Sequence, residues 1–304
     1  MSKTILIIGG YGVFGGKLAD ALSADPAFDV IVAGRSLSSA ERFCEGKSCR
    51  PLLLDTAAPD LAAALARARP FIVVDASGPF QTRRDAPYRV AEAALACGAH
   101  YLDLSDDGAF TAGIDTLNDA AIERGLTVLS GVSSVPALSS AAVVQLAEGF
   151  TTIDHIESVI LPGNRAPRGL SVVRAIVGQA GQPLPLWRAG RFESATGWGE
   201  RRTITLDIPG EPPVRNRWAS LIGAPDLTLF PQHFHARSVS FRAGLDLKLM
   251  HGGLALLSLP VRWGLIRNLS PLAPALKWMA DRLEPFGSST GGMRVSVSGR
   301  TGDG

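Results

Sequence analysis

The sequence predicts an α/β chain in two parts, a doubly wound parallel sheet over residues 1–135 and an α+β domain over residues 136–304. Three observations predict it. An apolar run, Ile5–Ile8, meets Gly10, Gly12 and Gly15 at GxGxxG spacing, and an amphipathic helical pattern follows at once. Short strand-forming runs then alternate with helical stretches as far as Leu129, as successive parallel strands with crossover helices require. Beyond Pro136 the alternation stops, and strands and helices follow one another in no fixed order.

The first strand, turn and helix carry the most specific signal. Strand before and helix after make the glycines a dinucleotide fingerprint rather than a chance cluster. In this pattern one glycine allows the tight turn, one lets backbone approach a pyrophosphate, and one lets the helix pack close to the strand. The first helical turn, with Tyr11, Val13 and Phe14 between the glycines, offers N–H groups and a positive dipole end to the phosphates. A GxxGxxG reading with Gly9, Gly12 and Gly15 fits equally well, so the roles of the individual glycines stay open at this level.

The second strand, Asp29–Ala33, ends in Gly34, Arg35 and Ser36. An NAD-specific site carries Asp or Glu there for the ribose hydroxyls, whereas an arginine suits a 2′-phosphate, so NADP is favoured over NAD. A helix over Ser38–Cys44, a strand over Pro51–Leu54 and an alanine-rich helix over Asp60–Ala68 follow. Asp55 closes that strand on the rim where ligands sit, where it meets the adenine amino group or caps the next helix. The fourth strand, Phe71–Asp75, leads into Ser77, Gly78, Pro79 and Phe80, a rigid loop expected to form the wall on the nicotinamide side. A helix over Ala86–Cys97, a strand over Ala99–Leu104, a helix over Ile114–Arg124 and a strand over Leu126–Leu129 complete the sheet, and a helix over Ala137–Ala147 follows.

The glycine fingerprint, the Ser77–Phe80 loop, the His100–Asp103 strand and the Pro136–Ser140 helix entry occur in an order that resembles the saccharopine dehydrogenase-like (saccharopine reductase) family. The similarity continues through Gly287–Met293 and so extends over essentially the whole chain. The resemblance implies an NADP-binding Rossmann domain, a substrate and dimerisation domain, a homodimer, and reactions such as saccharopine reduction, lysine dehydrogenation, carboxyspermidine reduction or trans-acting enoyl reduction. Relatives commonly continue past the strand-like Val295–Gly299, so a missing C-terminal piece of the second sheet is a further expectation.

The second half predicts a strand over Ile153–Leu161, a helix over Gly169–Val177, a hairpin over Leu184–Phe192 turning at Ala189-Gly190, and strands over Thr203–Asp207 and Arg237–Ala243. Together they predict a mixed sheet covering the cleft. Two apolar stretches, Leu254–Val261 and Leu272–Leu283, are broken by Pro260, Arg262, Arg267 and Pro271 well short of the ~20 residues that a bilayer requires. Buried helices or a dimer seam are the preferred reading; contact with a membrane surface through Trp263 and Trp278 is the less favoured one.

Charge divides the chain unevenly. Residues 1–150 carry 12 Lys and Arg against 17 Asp and Glu, and residues 151–304 carry 18 against 11. A basic second half fits solvated surface or an anionic substrate, with Arg174 or another arginine as its clamp. No basic helix, zinc spacing or aromatic-basic interleaving points to nucleic acid. The three cysteines, Cys44, Cys49 and Cys97, have no metal-ligand spacing and predict reduced thiols and a cytoplasmic protein. Candidate acid–base groups are Tyr101 and Asp103 on one face of their strand, with His100 on the other, and Lys248 and His251 from the second half. Hydrolase and metalloenzyme motifs are absent. The reading is an NADP-dependent oxidoreductase acting on a small, anionic C–N or enoyl substrate. Its competitor is a catalytically silent NADP sensor or scaffold at a membrane surface.

Overall fold

The computed structural model describes residues 2–83 and 85–302. They form two compact units that meet in sequence after Ser133, two residues before the boundary that the sequence suggests.

The first unit interleaves β1 (Lys3–Ile8), α1 (Val13–Ser23), β2 (Phe28–Gly34), α2 (Leu37–Cys44), β3 (Cys49–Leu53), α3 (Leu61–Ala68), β4 (Ile72–Asp75), α4 (Arg89–Ala96), β5 (His100–Asp103), α5 (Gly108–Ala112), α6 (Asn118–Arg124) and β6 (Val128–Leu129). The strands form one parallel sheet in the order β3-β2-β1-β4-β5-β6. This is the doubly wound order, with its switch point between β1 and β4. Central parallel strands are covered on both faces, which is why β1 reads as an unbroken apolar run and why Leu6, Ile7 and Ile8 are at most 1% exposed.

Two expected elements change. The helix expected over 86–97 starts only at Arg89, because Ala86 takes a left-handed φ of 51° and Pro87 follows it. The helix expected over 114–124 is divided into a 3₁₀ segment, Gly113–Leu117, and α6, and α5 precedes it without a counterpart in the sequence reading. Asp107 caps α5 by accepting from Phe110 N–H at 2.8 Å, and a Cβ on Gly113 would lie 2.4 Å from the Tyr88 hydroxyl oxygen.

The second unit contains α7 (Ser139–Leu146), β7 (Phe150–Leu161), α8 (Leu170–Gln179), β8 (Pro183–Arg188), β9 (Arg191–Thr196), β10 (Arg202–Leu206), β11 (Val214–Leu221), α9 (Pro225–His233), β12 (Val239–Gly244), α10 (Lys248–Leu257), α11 (Leu259–Arg262), α12 (Ala273–Arg282) and β13 (Gly292–Thr301). Its mixed five-stranded sheet runs β10-β11-β12-β7-β13, and β8 and β9 form a separate hairpin. Arg188 pairs with Arg191 across Ala189 and Gly190, both with positive φ, as a two-residue primed turn requires. β11 and α9 have no counterpart in the sequence reading. In β11, Asn216 sits at φ 52°, and its pairing with β10 shifts register between Ile204 and Leu206, which blurs the alternation. β13 lies antiparallel along β7 from Gly292–Leu161 to Thr301–Phe150, longer than the strand-like Val295–Gly299.

The apolar stretches after β12 are not fully buried. Leu256, Trp263, Leu265 and Trp278 are each at least 60% exposed. Among the described residues no helix is long and apolar enough to cross a membrane.

One buried carboxylate ties three elements of this unit together. Asp226, in the first turn of α9, is fully buried and accepts from Ser158 Oγ of β7 at 2.7 Å and Ser139 Oγ of α7 at 2.9 Å. Burial pushes its carboxyl up to about 6, and the two hydroxyl donors only partly offset this. A carboxyl raised on folding binds its proton more tightly in the native state, so its contribution to stability falls as pH rises from about 4 through 6. Asp226→Asn should therefore gain on the wild type across that window, by up to about 3 kcal/mol at pH 7. Urea unfolding of both proteins at pH 4, 5, 6 and 7 measures it; a difference independent of pH would show that Asp226 does not titrate there.

Candidate functional site: the carboxyl ends of the first sheet

The loops that leave the carboxyl ends of β1, β2, β4 and β5 lie side by side, since Ile8 is in register with Ala33 and Asp75, and Asp75 with Asp103. The β1 loop is held by Gly9 N–H to Ala33 O at 2.8 Å and Gly12 N–H to Gly9 O at 2.9 Å. Gly9 has φ 76°, and a Cβ there would lie 2.8 Å from Ala76 O. A Cβ on Gly15 would lie 2.3 Å from Gly9 O, so α1 packs directly on the turn that precedes it. Gly12 is the N-cap of α1 and provides no side chain to cap it, and the first turn contains no acidic residue. The roles left open by the sequence are thereby divided: Gly9 makes the turn, Gly12 opens the helix and Gly15 permits the close approach. Gly10 is constrained too, its Cβ position 2.9 Å from Ile7 O.

Tyr11 joins this loop to the next. Its hydroxyl accepts from Ser36 N–H at 3.1 Å, and its ring covers Gly34, where a Cβ would lie 2.5 Å from the phenol oxygen. Ser36 caps α2 by accepting from Ser39 N–H at 3.3 Å. Arg35 between them is exposed and forms no ion pair among the described residues. Phe14, in the first turn of α1, is 56% exposed. Asp55 is exposed and accepts from Ala57 N–H at 3.0 Å, so it shapes its own turn and does not cap α3.

The loop after β4 is fixed by an ion pair that sequence reasoning missed. Asp75, fully buried at the end of β4, takes Arg83 Nη1 at 2.6 Å and Nη2 at 3.2 Å, and also accepts from Ser77 N–H and Oγ at 3.0 and 2.6 Å. Arg83 Nη2 donates in addition to Ser77 Oγ at 2.9 Å, and the guanidinium lies 4.6 Å over the Phe80 ring. Phe80 is itself buried against Phe110 at 5.0 Å. The segment from Ser77 through Gly78 and Pro79 to Phe80 is thus pinned at both ends to the rim of the sheet.

The structure gives most of the acid–base candidates internal positions. Tyr101 and Asp103 do share a face of β5, but they are 1% and 0% exposed. Asp103 Oδ1 accepts from Ser105 N–H, Ser130 Oγ and Gly131 N–H, each at 2.9 Å, and so anchors the loop after β6. Burial raises the Asp103 carboxyl, and burial with the charges of Asp75 and Asp103 raises the Tyr101 phenol well above its usual range. His100, on the other face, accepts from Thr127 N–H at 3.0 Å. In the second unit His251 is fully buried against Trp198, with Nε2 2.9 Å from Ser220 Oγ. Burial, then Arg201, lowers its imidazole to about 4, which leaves it neutral at pH 7. Lys248 is exposed at the start of α10, with Nζ 5.5 Å from the Trp218 ring centre, and Arg174 is exposed on α8. Among the described residues no three His, Cys, Asp or Glu side chains group closely enough to hold a metal ion.

The first unit matches a known family: residues 5–129 fit the saccharopine dehydrogenase NADP binding domain. The match ends there, short of the Gly287–Met293 segment. No curated protein matches the chain in sequence. Among solved structures, apo saccharopine dehydrogenase (L-Glu forming) from Saccharomyces cerevisiae is similar over 80% of this chain and 55% of its own, at 16% identity and a TM-score of 0.57. GenD2 from gentamicin A biosynthesis, solved with NAD, covers 80% of this chain and 65% of its own at 18% identity and a TM-score of 0.42. Biliverdin reductase from Synechocystis sp. PCC 6803, solved with biliverdin and NADP⁺, covers 80% and 72% at 14% identity and a TM-score of 0.41. This chain therefore spans about half to two thirds of the length of the first two. The likeness to the yeast enzyme supports the fold: a doubly wound sheet followed by a second, mixed-sheet unit.

Proposed function

We propose, from the match of residues 5–129 to the saccharopine dehydrogenase NADP binding domain, that the chain is an NADP-dependent oxidoreductase acting on a small molecule. The observation that carries this reading is the glycine cradle of Gly9, Gly12 and Gly15 beneath an α1 N-terminus with no capping side chain, together with the exposed Arg35 at the end of β2.

The residues present fit the cofactor. Backbone N–H groups at the start of α1 would hold the pyrophosphate, and the glycines leave the space that side chains would fill. Arg35, with Ser36 beside it, would bind the 2′-phosphate, and Tyr11 holds that turn in place through Ser36 N–H. Ser77, Gly78, Pro79 and Phe80 would line the nicotinamide side, positioned by Asp75 and Arg83. When bound, NADP(H) supplies the hydride acceptor or donor, and the protein supplies orientation and charge. The buried positions of Tyr101, Asp103 and His251 support scaffold roles for them, and leave Lys248 as the solvent-facing member of the original acid–base set. The basic composition of residues 151–304 favours a carboxylate-bearing or otherwise anionic substrate with a reducible C–N, C=C or C=O bond, with Arg174 or another arginine of that half as its clamp.

Fluorescence titration of the purified chain with NADPH and NADH tests the reading. Tight NADPH binding with a clear preference over NADH is expected, and binding of neither would remove the oxidoreductase assignment. Arg35→Ala should weaken NADPH by about 10- to 100-fold, the equivalent of one charge-assisted contact, and change NADH much less. Equal losses for both would show that Arg35 does not read the phosphate.

A further inference from the structure

α2 ends at Cys44 and β3 begins at Cys49, and the turn between them brings the two sulfurs to 3.0 Å, with the Cys49 thiol donating to Cys44 Sγ. Both ends of this contact are fixed by the fold. Cys44 is buried in the core between α2 and the sheet, and Cys49 is held in register with Val30 of β2. The turn closes through Lys47 N–H to Cys44 O at 2.9 Å, and Gly46 takes its left-handed φ of 70° with open space around it. The sulfurs need to approach by only about 1 Å more to reach S–S bonding distance.

We propose that Cys44 and Cys49 form a reversible dithiol–disulfide site, oxidised by a small-molecule disulfide, that cross-links the end of α2 to the start of β3. Both thiols are free in this structure, which is the reduced state of the site. The order of events follows from access. Cys49 is partly exposed, whereas Cys44 is buried and burial raises its thiol, as does the neighbouring Cys49. The Cys49 thiolate attacks one sulfur of glutathione disulfide, which forms the Cys49–glutathione bond and releases one glutathione. Cys44 then gives up its proton to solvent and attacks the Cys49 sulfur; the protein disulfide forms and a second glutathione leaves with a proton. Two protein thiols are oxidised and one glutathione disulfide is reduced to two glutathiones. The inference is independent of the cofactor reading, since it rests on the α2–β3 turn alone.

Cys97 provides an internal control. It lies after α4, with its Sγ 3.2 Å from Ala94 O. The test equilibrates the full chain with graded ratios of glutathione to glutathione disulfide, quenches with iodoacetamide and reads intact mass and peptide map. The expected product is a monomer lighter by two hydrogens before alkylation, with peptides containing Cys44 and Cys49 joined and Cys97 alkylated, and dithiothreitol should reverse it. Cys44→Ser should instead accumulate a mixed disulfide on Cys49. Full alkylation of all three cysteines in excess glutathione disulfide would overturn the proposal, as would a bond to Cys97 or between two chains.

Discussion

Gly15→Ala is expected to abolish measurable NADPH binding at concentrations that saturate the wild type. A Cβ at this position would lie 2.3 Å from Gly9 O, 2.9 Å from Gly9 C and 3.1 Å from Gly10 Cα, all of them backbone atoms that cannot turn aside as a flexible side chain could. Relief requires α1 to move away from the β1 turn, and the N–H groups at its start move with it. Losing two charge-assisted hydrogen bonds of about 1.5–3 kcal/mol each corresponds to a loss of affinity of about 100-fold or more. Gly253→Ala is the matched control. Gly253 lies in α10 with nothing within 4 Å of its Cβ position, so alanine there should leave NADPH binding unchanged. The comparison is made by fluorescence titration, with circular dichroism to establish that both variants are folded. NADPH binding by folded Gly15→Ala as tight as by Gly253→Ala would mean that the cradle is not the phosphate site.

The second large effect concerns stability. Arg83→Met should destabilise the first unit by about 3–5 kcal/mol, because it leaves the Asp75 carboxylate buried with its paired cation removed. Asp75 is 0% exposed, and Ser77 N–H and Oγ are its remaining donors once the guanidinium is gone. The double variant Asp75→Asn, Arg83→Met removes the charge together with its partner and should recover much of the loss. Urea unfolding of the full chain, followed through the first transition, provides the measurement. A single variant as stable as the wild type, or a double variant no better than the single, would show that the pair does not hold the loop after β4.

The pair also shows where sequence reading stops. The loop Ser77–Phe80 could be placed on the rim from its position after an apolar strand, because strand and loop are consecutive in the chain. That Arg83 folds back to Asp75 could not, since the contact depends on how the intervening turn closes. Tyr101 and Asp103 illustrate the same limit. Period-two alternation correctly put both on one face of β5, but not the depth of that face, and the depth makes them internal anchors. Likewise, Cys44 and Cys49 read as unrelated thiols until α2 and β3 are packed together.

What the amino-acid sequence determined by itself is the first unit: six strands in alternation with helices, a glycine-rich turn entering α1, and an arginine where an NAD-specific site has a carboxylate. These are legible because each is local. A central parallel strand must be apolar throughout, a crossover helix must be amphipathic, and a backbone at φ 76° at Gly9 excludes most other residues. Tertiary structure decided which glycine makes the turn, the ion pair that fixes the β4 loop, the burial of the acid–base candidates, and the course of β11, α9 and β13 in the second unit. Those features depend on residues far apart in the chain or on the depth at which a side chain comes to rest, and neither spacing nor composition encodes them.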